Sequence, residues 1–423
     1  MEREMSSLTV LGCMWGDEAK AKVVDFLGAS ADVVVRFQGG ANAGHTIVSE
    51  GKKYVFHSVP SGMLYPTTRC VIAQGTVIDP FGLREEMQGL IAQGIDFSGR
   101  LFIDSRAGLV LPLHKELDSS KEEQLGKNRI GTTGKGIGPA YADQSARCGL
   151  RMGDLAHPDW LRKRLLSLYG LHGQTPSAAA LDEELAALAS AWEFLRCYVA
   201  EVDILLREWY LRGDSILFEG AQGTLLDIGF GTYPFVTSSH TMCGGVSTGA
   251  GFPPRWLDKV IGVYKAYGTR VGEGPFPTEI FDVTAERIRV VGNEFGATTG
   301  RPRRIGWFDA VAAKYTADLN GLDGLAITLL DVLSGIPELK ICTGYWLGET
   351  RLPHYPSHHL DLESAQPEYL TLPGWEADIG AVNKLGKLPK AAREYLEAIQ
   401  DLLERPIELV SVGKERSQTI VIN

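Results

Sequence analysis

The sequence predicts an α/β fold, a large and mostly parallel central β-sheet flanked by helices, with helical insertions. Three observations predict it. Short apolar runs recur along the whole chain, too short and too continuously apolar to be amphipathic helices, as strands buried on both faces of a parallel sheet require. Stretches with apolar residues at helical spacing lie between them. The first fifty residues read strand, charged loop, helix, strand, loop, which is the layout of a phosphate site at the edge of a parallel sheet.

Taken in order, residues 8–12 form the first expected strand, and GDEAKAK (16–22) follows it with Asp17, Lys20 and Lys22. Residues 33–37 form the second, and NAGHT (42–46) follows with His45. Further strand-like runs fall at 70–74, 101–104, 215–219, 260–266, 325–330, 339–342 and 407–412. Residues 177–212 place Leu, Ala and Trp at helical spacing with Glu and Asp between, so about 156–212 reads as a helical insertion. Residues 389–403 read as another amphipathic helix with Pro389 in its first turn. No Pro/Ser-rich linker, charge run or repeat marks a boundary, and a single domain over 1–423 is expected.

Composition narrows the function. The chain has 423 residues, 44% hydrophobic and 22% charged, enough for a sizeable core. Its net charge of −10 argues against a nucleic-acid groove, though local amides and Arg/Lys clusters can still hold a nucleotide. Six scattered cysteines without a CxxC suggest neither zinc nor a redox pair, and fit a reduced, cytoplasmic setting. No stretch approaches the ~20 apolar residues that a membrane span needs, and the charged MEREMSS start lacks an apolar signal region.

Alone, GDEAKAK or NAGHT would read as a loop of solvated charges. Similar chemistry recurs, however, in GTTGKGIGPAY (131–141), FEGAQGTLLD (218–227), GTYPFVTSSHT (231–241), GTRVGEGPFPTE (268–279), GATTGRPRRIG (296–306) and TLLDVL (328–333). These segments offer backbone amides, hydroxyls and guanidinium forks to anionic oxygens. Turn chemistry explains any one of them; it explains all of them together poorly.

In these segments, their order and their spacing, the chain resembles the adenylosuccinate synthetase family from about residue 8 to 422. The resemblance implies a P-loop-NTPase-like version of the α/β fold. It also implies GTP-dependent ligation of L-aspartate to IMP, the first committed step from IMP to AMP, with Mg2+ as cofactor. Asp17 is expected to take the N1 proton of IMP and His45 to serve the oxygen bridging GTP and IMP, general-base and electrostatic roles respectively. Asp17 and the carbonyl of Gly44 are the implied metal ligands. IMP is expected near Asp17, Asn42, Thr133, Gln222, Thr237, Val271 and Arg301. Arg147 is expected to reach the IMP site of a neighbouring subunit, which implies a homodimer. Aspartate is expected on Thr298, Thr299, Arg301 and Arg303. GTP is expected on Gly16, Glu18, Ala19, Lys20, Ala21, Lys22, His45, Thr46, Ser411 and Gly413, with guanine on Asp331.

Several positions depart from the family's pattern. Ala19 and Ala21 replace the glycines of GDEGKGK, Leu329 and Lys414 replace a lysine and a proline, and Lys135, Gln144 and His240 also differ. Most of these lie on the GTP side. They leave two alternatives beside the active enzyme: a family member with altered nucleotide or purine-monophosphate preference, and a weakly active nucleotide-binding regulator.

Overall fold

A computed structural model describes residues 6–42, 44–49, 52–126, 131–296 and 300–422, with the backbone alone for 45–49 and 52–53. Its centre is a ten-stranded sheet. From one edge to the other the strands are Thr419–Val421, Ile407–Ser411, Gly324–Thr328, Lys259–Lys265, β1 (Ser7–Gly12), Ile216–Glu219, Val33–Arg36, Arg69–Ile72, Leu101–Asp104 and Val199–Ala200. All neighbours are parallel except the edge strand Thr419–Val421, which runs antiparallel to Ile407–Ser411.

The continuous apolar runs are explained by the pleat. Side chains alternate between faces, and each face has its own apolar layer. Leu11, Val33, Val35 and Phe218 pack in one layer, and Val10, Val34, Leu217 and Ile261 in the other. Val33–Arg36 and Ile216–Glu219 are buried at every position, so no polar alternation is left to read.

Eight of the nine expected runs lie in this sheet. The run at 325–330 stops early: the strand ends at Thr328, where Leu329 takes φ 57°, ψ 34° and starts a 3-10 turn over Leu330–Leu333. The run at 339–342 corrects the expectation. It is the middle of a longer strand, Ile336–Leu347, in a separate sheet, antiparallel to Gln366–Trp375. Its burial is interrupted along its length, with one side left partly open, as suits an outlying antiparallel sheet.

The insertion comprises helices Pro158–Leu171, Ala178–Leu195 and Val202–Arg212. Ser177 caps the second by accepting from Ala180 N at 3.2 Å. The stretch 177–212 is not one helix, because Val199–Ala200 breaks it to pair with Leu101–Asp104. In the late helix Lys390–Leu403, Pro389 stands one place before the first turn. No helix among the described residues is long and apolar enough to cross a membrane.

Candidate active site

The site lies at the carboxyl ends of the central strands, where an open α/β sheet places its binding loops. β1 ends at Gly12, and the loop after it leads into α1 (Lys20–Gly28). Gly16 has φ 96°, and a Cβ there would sit 3.2 Å from Gln222 Cα, so glycine is needed for both conformation and space. Glu18 is buried and turns inward. Its carboxylate accepts from Met14 N (2.9 Å), Gly16 N (2.8 Å) and Lys20 Nζ (2.9 Å). A Cβ on Gly12 would lie 2.4 Å from Glu18 Oε2. The loop amides and Lys20 expected to meet phosphate are thus held here by an internal carboxylate.

The two alanines differ in kind. Ala19 has φ 58°, ψ 35°, a left-handed conformation costing an alanine ~1–2 kcal/mol. Ala21 lies in the first turn of α1, where alanine is the best helix former.

A cleft of about 340 Å³ opens beside this loop. Asp17, Asn42, Gly44, Thr133, Gln222, Thr237, Val271 and Arg303 line it, together with Gly16 and Lys20. Arg147 and Arg301 are exposed and do not line it. His45 and Thr46 begin the strand His45–Ser49 that follows Gly44, and their side chains lie outside the described residues. Thr298 and Thr299 also lie outside the described residues.

Four buried polar atoms that make no hydrogen bond converge on the cleft: Asp17 Oδ2 and Arg303 Nε, which face each other as an ion pair, and Asn42 Oδ1 and Gln222 Oε1. Such atoms are rare in folded proteins unless something else satisfies them. Burial raises the Asp17 carboxyl above the ordinary range, against the opposing pull of Arg303, whose Nε lies 3.3 Å away, and of Lys265.

The residues expected to meet GTP beyond the loop form a second group. Lys22 Nζ donates to Ser411 Oγ (2.6 Å), Gly413 O (2.5 Å) and Gln418 O (3.0 Å), so all three of its donors are used. Asp331 is the second residue of the 3-10 turn after Leu329, with Oδ1 buried and without a hydrogen-bond partner. Burial raises its carboxyl, opposed by its own backbone amide and by the nearby charges of Lys22 and Lys414.

Sequence reasoning missed three residues of this region. Arg270 lines the cleft almost fully buried, donates to Pro275 O (2.5 Å) and Thr232 Oγ1 (3.2 Å), and lies 5.1 Å from the Trp15 ring centre. It ties the Val271 loop to the Thr237 loop. Lys265 and Glu294 form a buried ion pair at 2.7 Å. A charged residue ending an apolar run, as Lys265 does, was the available signal; nothing in the sequence marks Glu294 as its partner.

Known proteins match this chain throughout. A family model described as adenylosuccinate synthetase matches residues 9–420. The chain is 47% identical over 427 residues to the adenylosuccinate synthetase of Heliobacterium modesticaldum, covering 98% of this chain and 99% of that one. It is 48% identical to that of Thermosynechococcus vestitus, covering 99% and 95%. It matches the solved structure of a fully ligated adenylosuccinate synthetase from Plasmodium falciparum with a TM-score of 0.94 at 36% identity, covering 99% and 100%.

Proposed function

The chain belongs to the adenylosuccinate synthetase family, and from that premise we propose how its own residues carry out the reaction. The reaction joins L-aspartate to IMP at the expense of GTP, giving adenylosuccinate, GDP and phosphate; the protein is a carbon–nitrogen ligase of purine biosynthesis.

The oxygen at C6 of hypoxanthine is a poor leaving group and must first be phosphorylated. Asp17 takes the N1 proton, a task suited to a carboxyl that lines the cleft. O6 then attacks the γ-phosphorus of GTP, the bond to the β–γ bridging oxygen breaks, and GDP leaves. His45 supplies a proton or hydrogen bond to that oxygen as charge builds on it. The aspartate amine next attacks C6, phosphate departs with the C6–O bond electrons, and the new C6 nitrogen gives up its extra proton to the departing phosphate.

Asn42, Thr133, Gln222, Thr237, Val271 and Arg301 hold IMP in this reading. Thr298, Thr299, Arg301 and Arg303 hold aspartate, since forked guanidinium groups suit a dicarboxylate. Gly16, Glu18, Ala19, Lys20, Ala21, Lys22, Thr46, Ser411 and Gly413 form the GTP side, with guanine on Asp331.

Asp17, whose Oδ2 is buried in the cleft and makes no hydrogen bond, and the nearby Gly44 would hold a hard cation through oxygen ligands. Magnesium, if bound there, would supply charge neutralisation for the phosphoryl oxygens. The whole chain acts as one catalytic unit, works as a homodimer through Arg147, and belongs in the cytoplasm.

The observation that carries this reading is the convergence on one cleft of buried polar atoms that make no hydrogen bond, those of Asn42 and Gln222 beside the Asp17–Arg303 ion pair. Asp17→Asn and His45→Asn test it. Each should lower turnover by about two or more orders of magnitude while the fold stays intact. Near-normal turnover of either folded variant would remove that residue from the chemistry.

A further inference from the structure

Behind the cleft lies a cluster of buried charge to which the reaction has so far given no role. Glu294 is fully buried. Its two oxygens accept from Lys265 Nζ (2.7 and 2.9 Å), Tyr267 OH (2.5 Å) and Arg303 NH1 (2.5 Å). Lys265 ends a central strand and spends a further donor on Thr269 Oγ1 at 2.8 Å, so the cluster is fixed to the sheet's carboxyl edge. The main chain joins in: Arg303 N donates to Glu294 O at 3.0 Å, and Arg289 Nε donates to Arg303 O at 3.1 Å.

Arg303 therefore stands between two carboxylates that it treats differently. Its NH1 edge is hydrogen-bonded to Glu294. Its Nε is 3.3 Å from Asp17 Oδ2, yet Nε and Oδ2 are both without hydrogen-bond partners, because the groups are close but not aligned. One edge of the guanidinium is anchored and the other is offered to the cleft. Lys265 and Glu294 offset each other's charge, which leaves the Arg303 charge to face the cleft and Asp17.

We propose that Glu294 is a positioning residue for the ligation: held by Lys265 and Tyr267, it anchors one edge of Arg303 and offers the other to a carboxylate of the substrate aspartate. The inference rests on Arg303 as an aspartate contact. Without the anchor, Arg303 closes onto Asp17. That one movement takes a donor from the aspartate site and engages the base, so aspartate KM rises and kcat falls, while the GTP contacts proposed for Lys22, Asp331, Ser411 and Gly413 are left in place and GTP KM changes little.

The test compares steady-state constants of Glu294→Gln, Lys265→Met/Glu294→Gln, Tyr267→Phe and Arg303→Gln. The double variant is included because Glu294→Gln alone leaves a buried ammonium without its counter-charge and is the one most prone to misfold. Aspartate KM should rise on the order of ten-fold in Glu294→Gln and in the double variant, and about three-fold in Tyr267→Phe, with GTP KM within about two-fold throughout. A folded double variant with unchanged aspartate KM overturns the proposal, as does a parallel rise of all three KM values, the pattern of general loosening. If the double variant does not fold, Tyr267→Phe decides, and an unchanged aspartate KM there overturns it. Arg303→Gln separates the two levels. An aspartate KM unchanged in Arg303→Gln removes both the contact and its anchor; one raised there but unmoved in the Glu294 variants removes the anchor alone.

Discussion

At the scale of single residues, Ala19 and Ala21 show what local conformation does to one and the same substitution. Ala19 holds a left-handed backbone at φ 58°, which glycine adopts freely. Ala21 is helical, where glycine is the poorer residue. Ala19→Gly is expected to stabilise the protein by ~1 kcal/mol, and Ala21→Gly to destabilise it by ~0.5–1 kcal/mol, so the double change nearly cancels. Denaturant unfolding of the three variants checks this, and GTP KM should fall several-fold in Ala19→Gly if the relieved strain is expressed in binding. No gain in Ala19→Gly would mean that the loop is rebuilt around its methyl. The sequence treated the two alanines alike, because φ at one loop residue is set by how the chain turns from β1 into α1 and not by the residue's identity. The same limit hid Glu18: its acidity was legible, but not that it folds back onto Lys20 and the loop amides.

At the scale of elements, α1 is tied to the chain's last loop. Lys22 donates to Ser411 Oγ, Gly413 O and Gln418 O, and Arg416 pairs with Asp25 at 2.7 Å. Lys22 thus joins two segments expected to bind GTP. Lys22→Met should cost about 1–3 kcal/mol at pH 7, since it strands the oxygens the ammonium satisfies. Burial holds the Lys22 ammonium down at about 8, against the opposing charges of Asp331 and Glu415. Between that value and the ordinary 10.5 the unfolded chain binds more protons than the folded one, so this group's contribution to stability rises with pH across that window and is flat below it. Urea unfolding at pH 7, 8.5 and 10 should show the wild type gaining on Lys22→Met as pH rises; a constant difference would show that the ammonium bears no burial penalty. The strands were the most legible part of the fold, because continuous apolar runs belong to strands covered on both faces. The outlying strand Ile336–Leu347 was misassigned because its central residues share that apolar character, and only its length and its partner Gln366–Trp375 distinguish it.

At the scale of the whole molecule, the cleft gathers Asp17, Asn42, Thr133, Gln222, Thr237, Val271 and Arg303 from loops far apart in sequence, but not Arg147. Arg147 is exposed, with φ 64°, just past the helix Ile137–Ser145, and its proposed role in another subunit can be tested by mixing variants. An equal mixture of Arg147→Leu and Asp17→Asn chains should therefore recover about a quarter of wild-type activity, because half the dimers are hybrids with one intact site each. No recovery in verified hybrids would contradict the shared site. Most of the cleft was legible as motifs because each loop carries its own chemistry. Lys265, Glu294 and Arg270 were not, because their roles come from packing between segments. This chain, with its altered phosphate loop, ligates aspartate to IMP at the expense of GTP. Adenylosuccinate formation from IMP and L-aspartate, measured with GTP and with ATP, tests it most directly. Turnover with GTP, and turnover with ATP slower by about ten-fold or more because the unpartnered Asp331 carboxylate suits the guanine donors, is the predicted result; no product with GTP, or faster product formation with ATP, would contradict it.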